Sequence, residues 1–353
     1  MNIARHLLCL IIAAVLCLTR AAAADKIVLV AGGGHAAPNG IPATQAELKE
    51  PFGVAFDKAG NLFIIEMSKG QRLLKVDQQG TITHIAGTGE GGGAGDGGPA
   101  LKAQFNGPHN LAVTLAGDIL IADTWNGRIR KVDLKANKVT SIPGFDVPAD
   151  KARSAGPYCI TLDFTGTKLH VADLRRIHVI DLKTGKSEVV AGNGQKGRPE
   201  DGTLAKDASL VDPRAVAADR KGNVYILERG GHALRVVGAD GKIRTVVNGS
   251  GKKGATGDGG PALEATMNGP KHLCIDPDDN VIIADAENNL IRKYVPKDGK
   301  IYRVAGTGKM GKAGIGGPPE QVELARSHGV TIGPDGLLYI TDSYNDRILR
   351  IER

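Results

Sequence analysis

The sequence predicts an all-β fold, a six-bladed β-propeller of four-stranded blades in which an N-terminal strand closes the last blade. Three observations support this fold class. One unit recurs six times, each unit holds short β-branched runs joined by Asp/Gly turns, and the two chain ends complement each other. Because the repeat runs through residues 25–353, a single domain is predicted there.

The repeated unit is a short apolar run, a polar turn and a second apolar run that ends in an acid. The six copies are "PFGVAFDKAGNLFIIE", "PHNLAVTLAGDILIAD", "PYCITLDFTGTKLHVAD", "PRAVAADRKGNVYILE", "PKHLCIDPDDNVIIAD" and "SHGVTIGPDGLLYITD". They begin at Pro51, Pro108, Pro157, Pro213, Pro270 and Ser327, with spacings of 57, 49, 56, 57 and 57 residues. A third run such as "GRIRKVD" follows each acid, and in most units a fourth such as "KIYRVAG" follows, which predicts one blade per unit.

The chain ends predict closure of the ring. The sixth unit stops after its third strand at Arg353, whereas residues 26–31 open an additional strand, "KIVLVAGGG", that is similar to a fourth strand. If this strand completes the sixth blade, the junction leaves no strand edge exposed.

Glycine-rich connectors precede five of the six blades. The stretch "GAGDGGPAL" at 93–101 has the composition of a phosphate or calcium loop, but it returns as "TGDGGPAL" at 256–263 and more loosely elsewhere. Each copy is followed by an apolar residue three places before the next blade, namely Leu48, Phe105, Leu210, Met267 and Leu324. We therefore expect joints between blades, each with a short helical turn that Asp96 and Asp258 cap. The connector "SIPGFDVPADKARSAGP" lacks the motif, which accounts for the spacing of 49.

Residues 1–24 have the pattern of a cleaved signal peptide, with a basic start, an apolar run and four alanines before the predicted cleavage site. No later run is long or apolar enough to span a bilayer. We therefore expect an exported protein, periplasmic or secreted, with no membrane span, and we expect a monomer. Cys159 and Cys274 then remain in an oxidising compartment, where we expect two free thiols. The net charge of +7 has no basic run behind it and does not favour a nucleic-acid partner.

The pattern P-x-G-[VIL]-A-[VIL]-D-x-x-G-N-[VIL]-Y-[VI]-A-D, followed by N-x-[RL]-I, resembles the NHL repeat. The resemblance covers essentially all of residues 25–353, although the third unit lacks the Gly-Asn turn and the sixth begins with Ser327. It implies a six-bladed propeller. It does not imply one activity, because such propellers serve as binding modules for proteins, RNA or carbohydrate and as enzymes.

The acids that end the second strands share one position in all six units: Glu66, Asp123, Asp173, Glu228, Asp285 and Asp342. We expect them to accept hydrogen bonds from backbone N–H groups of the turn that follows. A cation-binding acidic ring is the alternative. The opposite face carries only short turns, which we interpret as plain turns.

The residue after each leading proline is predicted to lie at the channel mouth. Around the ring these residues are Phe52, His109, Tyr158, Arg214, Lys271 and His328. Asn110 and His272 lie one place further in, and Trp125 and Tyr344 follow the acids of their blades. Cations, imidazoles and flat rings suit an anionic or sugar-like ligand, so these residues other than Phe52 form the predicted binding site. The partner would be a protein, a carbohydrate or an anionic small molecule; a polar mouth without a ligand is the alternative.

Two enzymatic relatives of the NHL propeller give the alternative function, a lactonase-like hydrolase or a metal-dependent lyase. The gluconolactonase group holds a divalent metal with Glu, Asn and Asp, partly at the P-x-G position, which here carries neither a carboxylate nor an amide. The peptidylglycine-amidating lyase holds zinc with histidines of alternating blades, and the corresponding set here is His109, Arg214 and His328. Arginine cannot ligate zinc, so one ligand is missing unless His272 of the fifth unit supplies it. We assign no catalytic residue, no metal ligand and no cofactor, with a divalent metal as the alternative.

Overall fold

Runs of β-branched and aromatic residues form antiparallel strands between the Asp/Gly turns in the computed structural model, which describes residues 25–148 and 150–353. The predicted signal peptide lies outside the described residues. In chain order the strands are β1 (Lys26–Gly32), β2 (Asn39–Pro42), β3 (Pro51–Phe56), β4 (Leu62–Glu66), β5 (Leu73–Val76), β6 (Thr81–Ala86), β7 (Asn110–Val113), β8 (Ile119–Asp123), β9 (Arg128–Asp133), β10 (Lys138–Asp146), β11 (Cys159–Leu162), β12 (Lys168–Ala172), β13 (Ile177–Asp181), β14 (Ser187–Ala191), β15 (Pro213–Ala218), β16 (Val224–Glu228), β17 (Ala233–Val237), β18 (Ile243–Val247), β19 (His272–Ile275), β20 (Val281–Asp285), β21 (Leu290–Val295), β22 (Lys300–Ala305), β23 (Gly329–Ile332), β24 (Leu338–Asp342) and β25 (Arg347–Glu352).

The strands form six antiparallel sheets, one for each repeated unit. Blade 1 contains β3 to β6, blade 2 β7 to β10, blade 3 β11 to β14, blade 4 β15 to β18 and blade 5 β19 to β22. Blade 6 has the order β1-β25-β24-β23, with Lys26 opposite Glu352 and Gly32 opposite Arg347. The predicted fold class is therefore confirmed, including the N-terminal strand that closes the last blade.

The hydrophobic core lies between neighbouring blades. Phe63 and Ile65 of blade 1, for example, pack with Ile119 and Ile121 of blade 2, and all four are fully buried. The connector residue Phe105 fills the same layer. Its counterparts are also almost fully buried, as the repeat pattern predicts: Leu48, Leu210, Met267 and Leu324.

The glycine-rich connectors form an extra extended segment along the outer edge of the blade they lead into, which we call the edge segment. In blade 2, Gly97 N–H donates to the Val139 carbonyl at 2.7 Å and Val139 N–H donates to Gly98 at 3.1 Å. The same exchange joins Gly259 and Gly260 to Ile301 in blade 5, and β2 pairs with β6 in blade 1. Blades 4 and 6 are covered in the same way. In blade 3, nothing in the described part of the chain covers β14.

Short 3₁₀ turns follow the edge segments, as the sequence predicts, at Ala43–Gln45, Ala100–Lys102, Ala205–Asp207, Ala262–Glu264 and Pro319–Gln321. The prediction that Asp96 and Asp258 cap these turns is wrong, because neither turn has a side-chain cap. Asp96 instead lies 2.7 Å from the Nε of the buried Arg130, and Asp258 accepts a hydrogen bond from Arg292 at 2.8 Å. The buried charges are those of the two third-strand arginines, and each aspartate pairs with one of them rather than with the local turn.

The six acids are structural, but their partners differ from the predicted ones. Five of them accept a backbone N–H from a connector residue 17 positions earlier, as Asp123 does from Asn106 at 2.8 Å. Their second oxygen faces an arginine, which belongs to the third strand in four blades and directly precedes it in blade 1, as Arg72. Asp173 alone among the six accepts backbone N–H groups from the turn that follows it, those of Arg175 and Arg176. Asp123, Asp285 and Asp342 accept a side-chain amide from that turn instead. Each of the five therefore ties a connector to its blade.

Both cysteines are free thiols, as expected. Cys159 is fully buried, and burial raises the pKa of its thiol to about 12. At neutral pH this thiol stays protonated, which makes it a small apolar core residue rather than a nucleophile.

Candidate functional site

The end of the ring at which the first strands start is called the channel mouth here. A strained backbone position precedes the first strand in most blades. The residue before the leading proline, or before Ser327, has a positive φ in five blades. Glycine occupies two of these positions, but Glu50, Asp212 and Arg326 occupy the others with φ values of 57°, 55° and 45°. Charged side chains in the left-handed region cost free energy that glycine would avoid. Asp212 and Arg326 both belong to the charge cluster at the mouth.

Side chains from the preceding blade hold most of these strained backbone positions. Arg326 N–H donates to Asn289 Oδ1 at 3.0 Å, and Glu50 N–H donates to Asp346 Oδ1 at 2.7 Å. Gly107 and Gly269 are held in the same way by Gln71 and His232 of the blades before them. The mouth is therefore fixed by contacts between blades, so its side chains start from a rigid frame.

An aromatic row occupies the blade 1 side of the mouth. The ring of Phe52 stacks on His328 with centroids 4.0 Å apart and meets the edge of His109 at 5.3 Å. His109 also contacts the ring of Tyr158 at 4.7 Å, and His328 stacks on Tyr344 at 5.7 Å. Five predicted rim residues thus form one continuous row, with Phe52 between the two imidazoles.

Both imidazoles of this row are neutral at neutral pH. Burial, with the charge of Arg214 second, lowers the pKa of His109 to about 3, and burial also lowers the pKa of His328 well below its usual range. His109 Nδ1 donates to the Gly107 carbonyl at 2.7 Å. A neutral ring that donates from Nδ1 keeps a lone pair on Nε2, so His109 presents a hydrogen-bond acceptor there.

A charge cluster occupies the side of blades 4 to 6. Asp212 lies 3.0 Å from Arg214 and also pairs with Arg229. In the next blade, blade 5, Glu287 lies 3.2 Å from Lys271 Nζ and also pairs with Arg326. Each carboxylate is shared by two cations. The four cations and two carboxylates of the cluster therefore sum to a net charge of +2.

The two cations that belong to the predicted rim are largely buried. The side chains of Arg214 and Lys271 are 13% and 10% exposed. Arg214 lies over the ring of Tyr158 at 4.0 Å, which joins the charge cluster to the aromatic row. Burial lowers the pKa of Lys271 to about 8, because desolvation outweighs the attraction of Glu287.

Trp125 and Tyr344 lie at the outer margin of the mouth. Arg153 stacks on Trp125 at 4.0 Å, and Arg326 stacks on Tyr344 at 4.8 Å while its Nη1 donates to the Tyr344 hydroxyl at 3.0 Å. Tyr344 remains 46% exposed. The sequence did not single out Arg153, Arg229, Glu287 or Arg326, because only their proximity in the ring connects them with the mouth.

Asn110 and His272 lie deeper than the other predicted site residues and meet across the channel. Asn110 Nδ2 and His272 Nε2 are 3.1 Å apart, although the two residues belong to opposite blades of the ring. Asn110 Oδ1 accepts from Ile160 N–H at 3.0 Å, and His272 Nδ1 lies 3.3 Å from Val330 N. These contacts close the middle of the channel, so the two residues form a partition rather than part of the rim.

A cavity of about 580 Å³ lies beyond this partition, on the face where the first and second strands of the blades turn. Its lining begins at Asn110 and His272 and ends at turn residues such as Lys58, Leu115 and Phe164. Sequence reasoning interpreted these turns as plain and missed the cavity. The signal in the sequence is that first strands end in an apolar residue next to the turn, as Phe56, Leu162 and Ile332 do.

The described residues contain no group of three or more His, Cys, Asp or Glu side chains placed to hold one metal ion. The ring of Phe52 separates His109 from His328, and His272 lies at the partition with Asn110. The histidine set expected for an amidating-lyase zinc centre therefore does not assemble among these residues.

Six four-stranded blades, five of which have an acid that binds the preceding connector, define the class of this protein as an NHL-type β-propeller. A family model described as the Teneurin NHL domain matches residues 151–351, which is more than half of the sequence. The chain belongs to the Teneurin NHL domain family.

Several curated proteins share 23–25% identity with most of the chain. Protein SUPPRESSOR OF QUENCHING 1, chloroplastic, of Arabidopsis thaliana is 25% identical over 326 residues, covering 86% of this chain and 30% of that protein. NHL repeat-containing protein 2 of Bos taurus is 24% identical over 84% of this chain and 46% of its own length. Teneurin-1 of Homo sapiens is 23% identical, and the match covers 82% of this chain and 11% of that protein. The chain thus spans less than half the length of these relatives.

Solved structures share the fold at low identity. A Bacteroides thetaiotaomicron protein of unknown function has a TM-score of 0.71 at 15% identity, covering 93% of this chain and 76% of the other. An auxiliary nutrient binding protein from Bacteroides ovatus has a TM-score of 0.68 at 14% identity with the same coverage. A putative gluconolactonase has a TM-score of 0.57 at 12% identity, covering 94% and 93%. At these identities the likeness shows the fold alone.

Within the described residues no helix has both the length and the apolar character needed to cross a membrane.

Proposed function

We propose that this protein is an exported binding module whose channel mouth binds an anionic small molecule with a flat or sugar-like body. The observation that carries the proposal is the charge cluster: Arg214, Arg229, Lys271 and Arg326 surround only two carboxylates, Asp212 and Glu287. A partly desolvated excess of positive charge favours an anionic partner, because the effective dielectric constant is lower there than in water.

The aromatic row supplies the second half of the site. Flat rings give contact area to a planar or pyranose surface, while the neutral His109 presents an acceptor for a hydroxyl group. The charge cluster would then bind the carboxylate, phosphate or sulfate end through charge-assisted hydrogen bonds. The structural neighbour that is described as an auxiliary nutrient binding protein fits a small-molecule role for this fold.

The site is tested with gluconate and glucose 6-phosphate as anionic probes and glucose as the neutral one, using calorimetric titration at low ionic strength. We expect the anions to bind more tightly than glucose. In the double variant Arg214→Met with Lys271→Met, we expect the affinity for the anions to fall at least about tenfold, because each charged hydrogen bond contributes about 1.5–3 kcal/mol.

The matched control is Lys135→Met with Lys183→Met, which removes the same charge from two exposed turns remote from the mouth. This control should keep the wild-type affinity. Equal affinity in the Arg214/Lys271 variant and the control, or a preference for glucose over both anions, would contradict the proposal.

Export is part of the proposal and is supported by the signal-peptide pattern of residues 1–24. Expression of the whole sequence in a bacterial host, followed by intact mass measurement of the periplasmic fraction, tests it. We expect a product that begins near Asp25. A product of full mass that stays in the cytosol would contradict export.

A further inference from the structure

The cavity on the turn side of the channel is separated from the mouth by the Asn110–His272 partition, so it is a second chamber with its own entrance. It measures about 580 Å³ and is enclosed by the first strands of the blades. That volume lies within the range in which proteins bind small molecules. Nothing proposed for the mouth depends on it.

The walls of this chamber are mainly apolar, with threonine side chains between the apolar ones. Phe56, Val113, Leu162, Ile275 and Ile332 all line it. Each belongs to the innermost strand of its blade and is nevertheless only half-buried. The two faces of each blade pack against the neighbouring blades. The area of an innermost-strand side chain that stays exposed therefore faces the channel. Apolar surface of this kind in a concave site favours an apolar occupant over water.

The floor of the chamber has more hydrogen-bond donors than acceptors. The Asn110 amide is oriented by Ile160 N–H, which donates to its Oδ1, so its Nδ2 faces His272 Nε2. On the other side of the imidazole, Val330 N–H faces Nδ1. Burial lowers the pKa of His272 to about 4, so the ring is neutral at pH 7 and has one acceptor nitrogen for two donors. The imidazole of His272 can accept from Asn110 Nδ2 or from Val330 N–H but not from both. One N–H group among these three residues is therefore left without an acceptor.

The entrance of the chamber has two strongly exposed apolar side chains. Phe164 is 73% exposed and Leu115 is 58% exposed, and both line the rim. Arg220 lies over the Phe164 ring at 5.4 Å and pairs with Asp279 at 3.1 Å, so its charge is already compensated. The rim also includes Lys58, Asp57 and Asp276, so it has two cations against three carboxylates and does not favour an anionic ligand.

We propose that this chamber binds an uncharged, mainly apolar small molecule that carries a carbonyl-type acceptor at one end. The acceptor takes the surplus N–H at Asn110 and His272, and the apolar body contacts the strand residues Phe56, Leu162 and Ile332. Leu115 and Phe164 cover the outer end.

The test uses acetophenone and ethylbenzene, which have nearly the same shape and differ in the carbonyl oxygen. Titration of methyl-labelled protein, followed by NMR, should show saturable shifts of the Ile160, Leu162 and Ile332 methyl groups with both probes. Acetophenone should bind about fivefold more tightly, as expected for one neutral hydrogen bond. In the double variant Asn110→Leu with His272→Leu both side-chain donors of the floor are removed, so the preference for acetophenone should disappear while ethylbenzene still binds.

Two cavity-filling variants, Ala112→Phe and Ala217→Phe, should abolish binding of both probes, because both alanines line the chamber. The matched control is Ala136→Phe, which places the same ring on an exposed turn. Glucose 6-phosphate binding at the mouth is measured on the same samples, so failure of the chamber and failure of the mouth are distinguished.

Three results would overturn the proposal. The first is shifts confined to exposed methyl groups such as those of Leu101 and Leu263. The second is equal affinity of the two probes in the wild-type protein. The third is unchanged binding in a folded filled variant. If both filled variants fail to fold, the wild-type shift map and probe preference still decide.

Discussion

Arg130 shows, at the scale of one residue, how this propeller uses buried charge. Its side chain is fully buried, yet it lies 2.7 Å from Asp96 and 3.4 Å from Asp123, and it donates to the Gln104 carbonyl at 3.0 Å. One guanidinium thus joins the connector, the second strand and the third strand. Arg292 makes the equivalent contacts in blade 5. A planar group with five donors suits this position, because lysine has no comparable fork.

We expect Arg130→Met to lower the free energy of unfolding by about 3 kcal/mol, because the buried Asp123 then keeps only one arginine partner, Arg128, whose Nε lies at 3.8 Å. Urea unfolding measures the loss. The control Lys131→Met, whose ion pair with Asp118 is partly exposed, should cost less than about 1 kcal/mol. Adding Asp123→Asn to Arg130→Met should recover part of the loss, and no recovery would show that the charge is not the cause.

The buried histidines predict an acid-sensitive fold. His109 has a pKa of about 3 in the folded state because of burial, whereas an unfolded chain binds its proton near pH 6.5. Below that pH the unfolded state binds more protons, so stability falls as the pH decreases from about 6.5 toward 3. Buried carboxyls such as Asp285, whose pKa burial raises to about 6, act in the opposite direction. The contribution of one histidine is therefore measured as a difference between variants.

We expect wild-type protein to lose about 1–2 kcal/mol more stability than His109→Gln between pH 7 and pH 5, since glutamine does not titrate. Urea unfolding at both pH values gives the two differences. If the two proteins lose the same amount, the folded-state pKa of His109 is not depressed.

At the scale of the secondary-structure element, the outer strand of a blade has an apolar residue where an edge segment covers it and a polar residue where none does. The residue that faces the edge segment is fully buried in the five covered blades, as Ile27, Ile82, Val139, Ile243 and Ile301. The same register position in blade 3 is Ser187, and it is exposed. Sequence and covering segment change together, because an uncovered apolar edge would favour aggregation.

Hydrogen exchange should distinguish the two kinds of edge. Ile301 N–H donates to Gly260 of the edge segment, whereas Ser187 N–H points outward from β14 with no partner among residues 25–148 and 150–353. We expect the Ser187 amide to exchange at least about tenfold faster than that of Ile301. Comparable protection of the two amides would mean that something else covers β14 in solution.

The sequence predicts more of the elements than of the site. Five proline-led starts, one serine-led start and six acids suffice for the blades, because each copy repeats the same local pattern. The bond from Asn106 to Asp123 could not be predicted, since it depends on how the connector returns to its own blade. The Asn110–His272 contact joins residues 162 positions apart, and it depends on the width of the closed ring. For the same reason the repeat pattern does not predict how the residues at the starts of the first strands pair with one another.

At the scale of the whole molecule, the ring is closed by β1, which forms the outer strand of blade 6 beside the last strand of the chain. Lys26 Nζ lies 3.3 Å from Glu352 Oε2, so the start of β1 and the end of β25 are neighbours. Gly32 ends β1 with a φ of 86°, and an added Cβ would lie 2.2 Å from the Asp346 carbonyl oxygen. Closure therefore depends on seven residues that lie far in sequence from the blade they complete.

We expect deletion of residues 26–32 to abolish cooperative unfolding or to cause oligomerisation, because it exposes the edge of β25. A circular permutant that joins residue 353 to residue 26 by a short turn, with new ends at Gly33 and Gly34, should stay monomeric and fold. Size-exclusion chromatography and thermal unfolding compare the two. A deletion variant as stable as the permutant would show that β1 is dispensable.

The contact between Asn110 and His272 crosses the axis of the ring and joins blades 2 and 5, so the mouth and the chamber lie on opposite sides of one pair of side chains. The two ends of the ring are chemically unlike, one cationic and aromatic, the other apolar. Two ligands that are bound at the two ends at the same time are therefore held at a fixed separation and in a fixed orientation relative to each other.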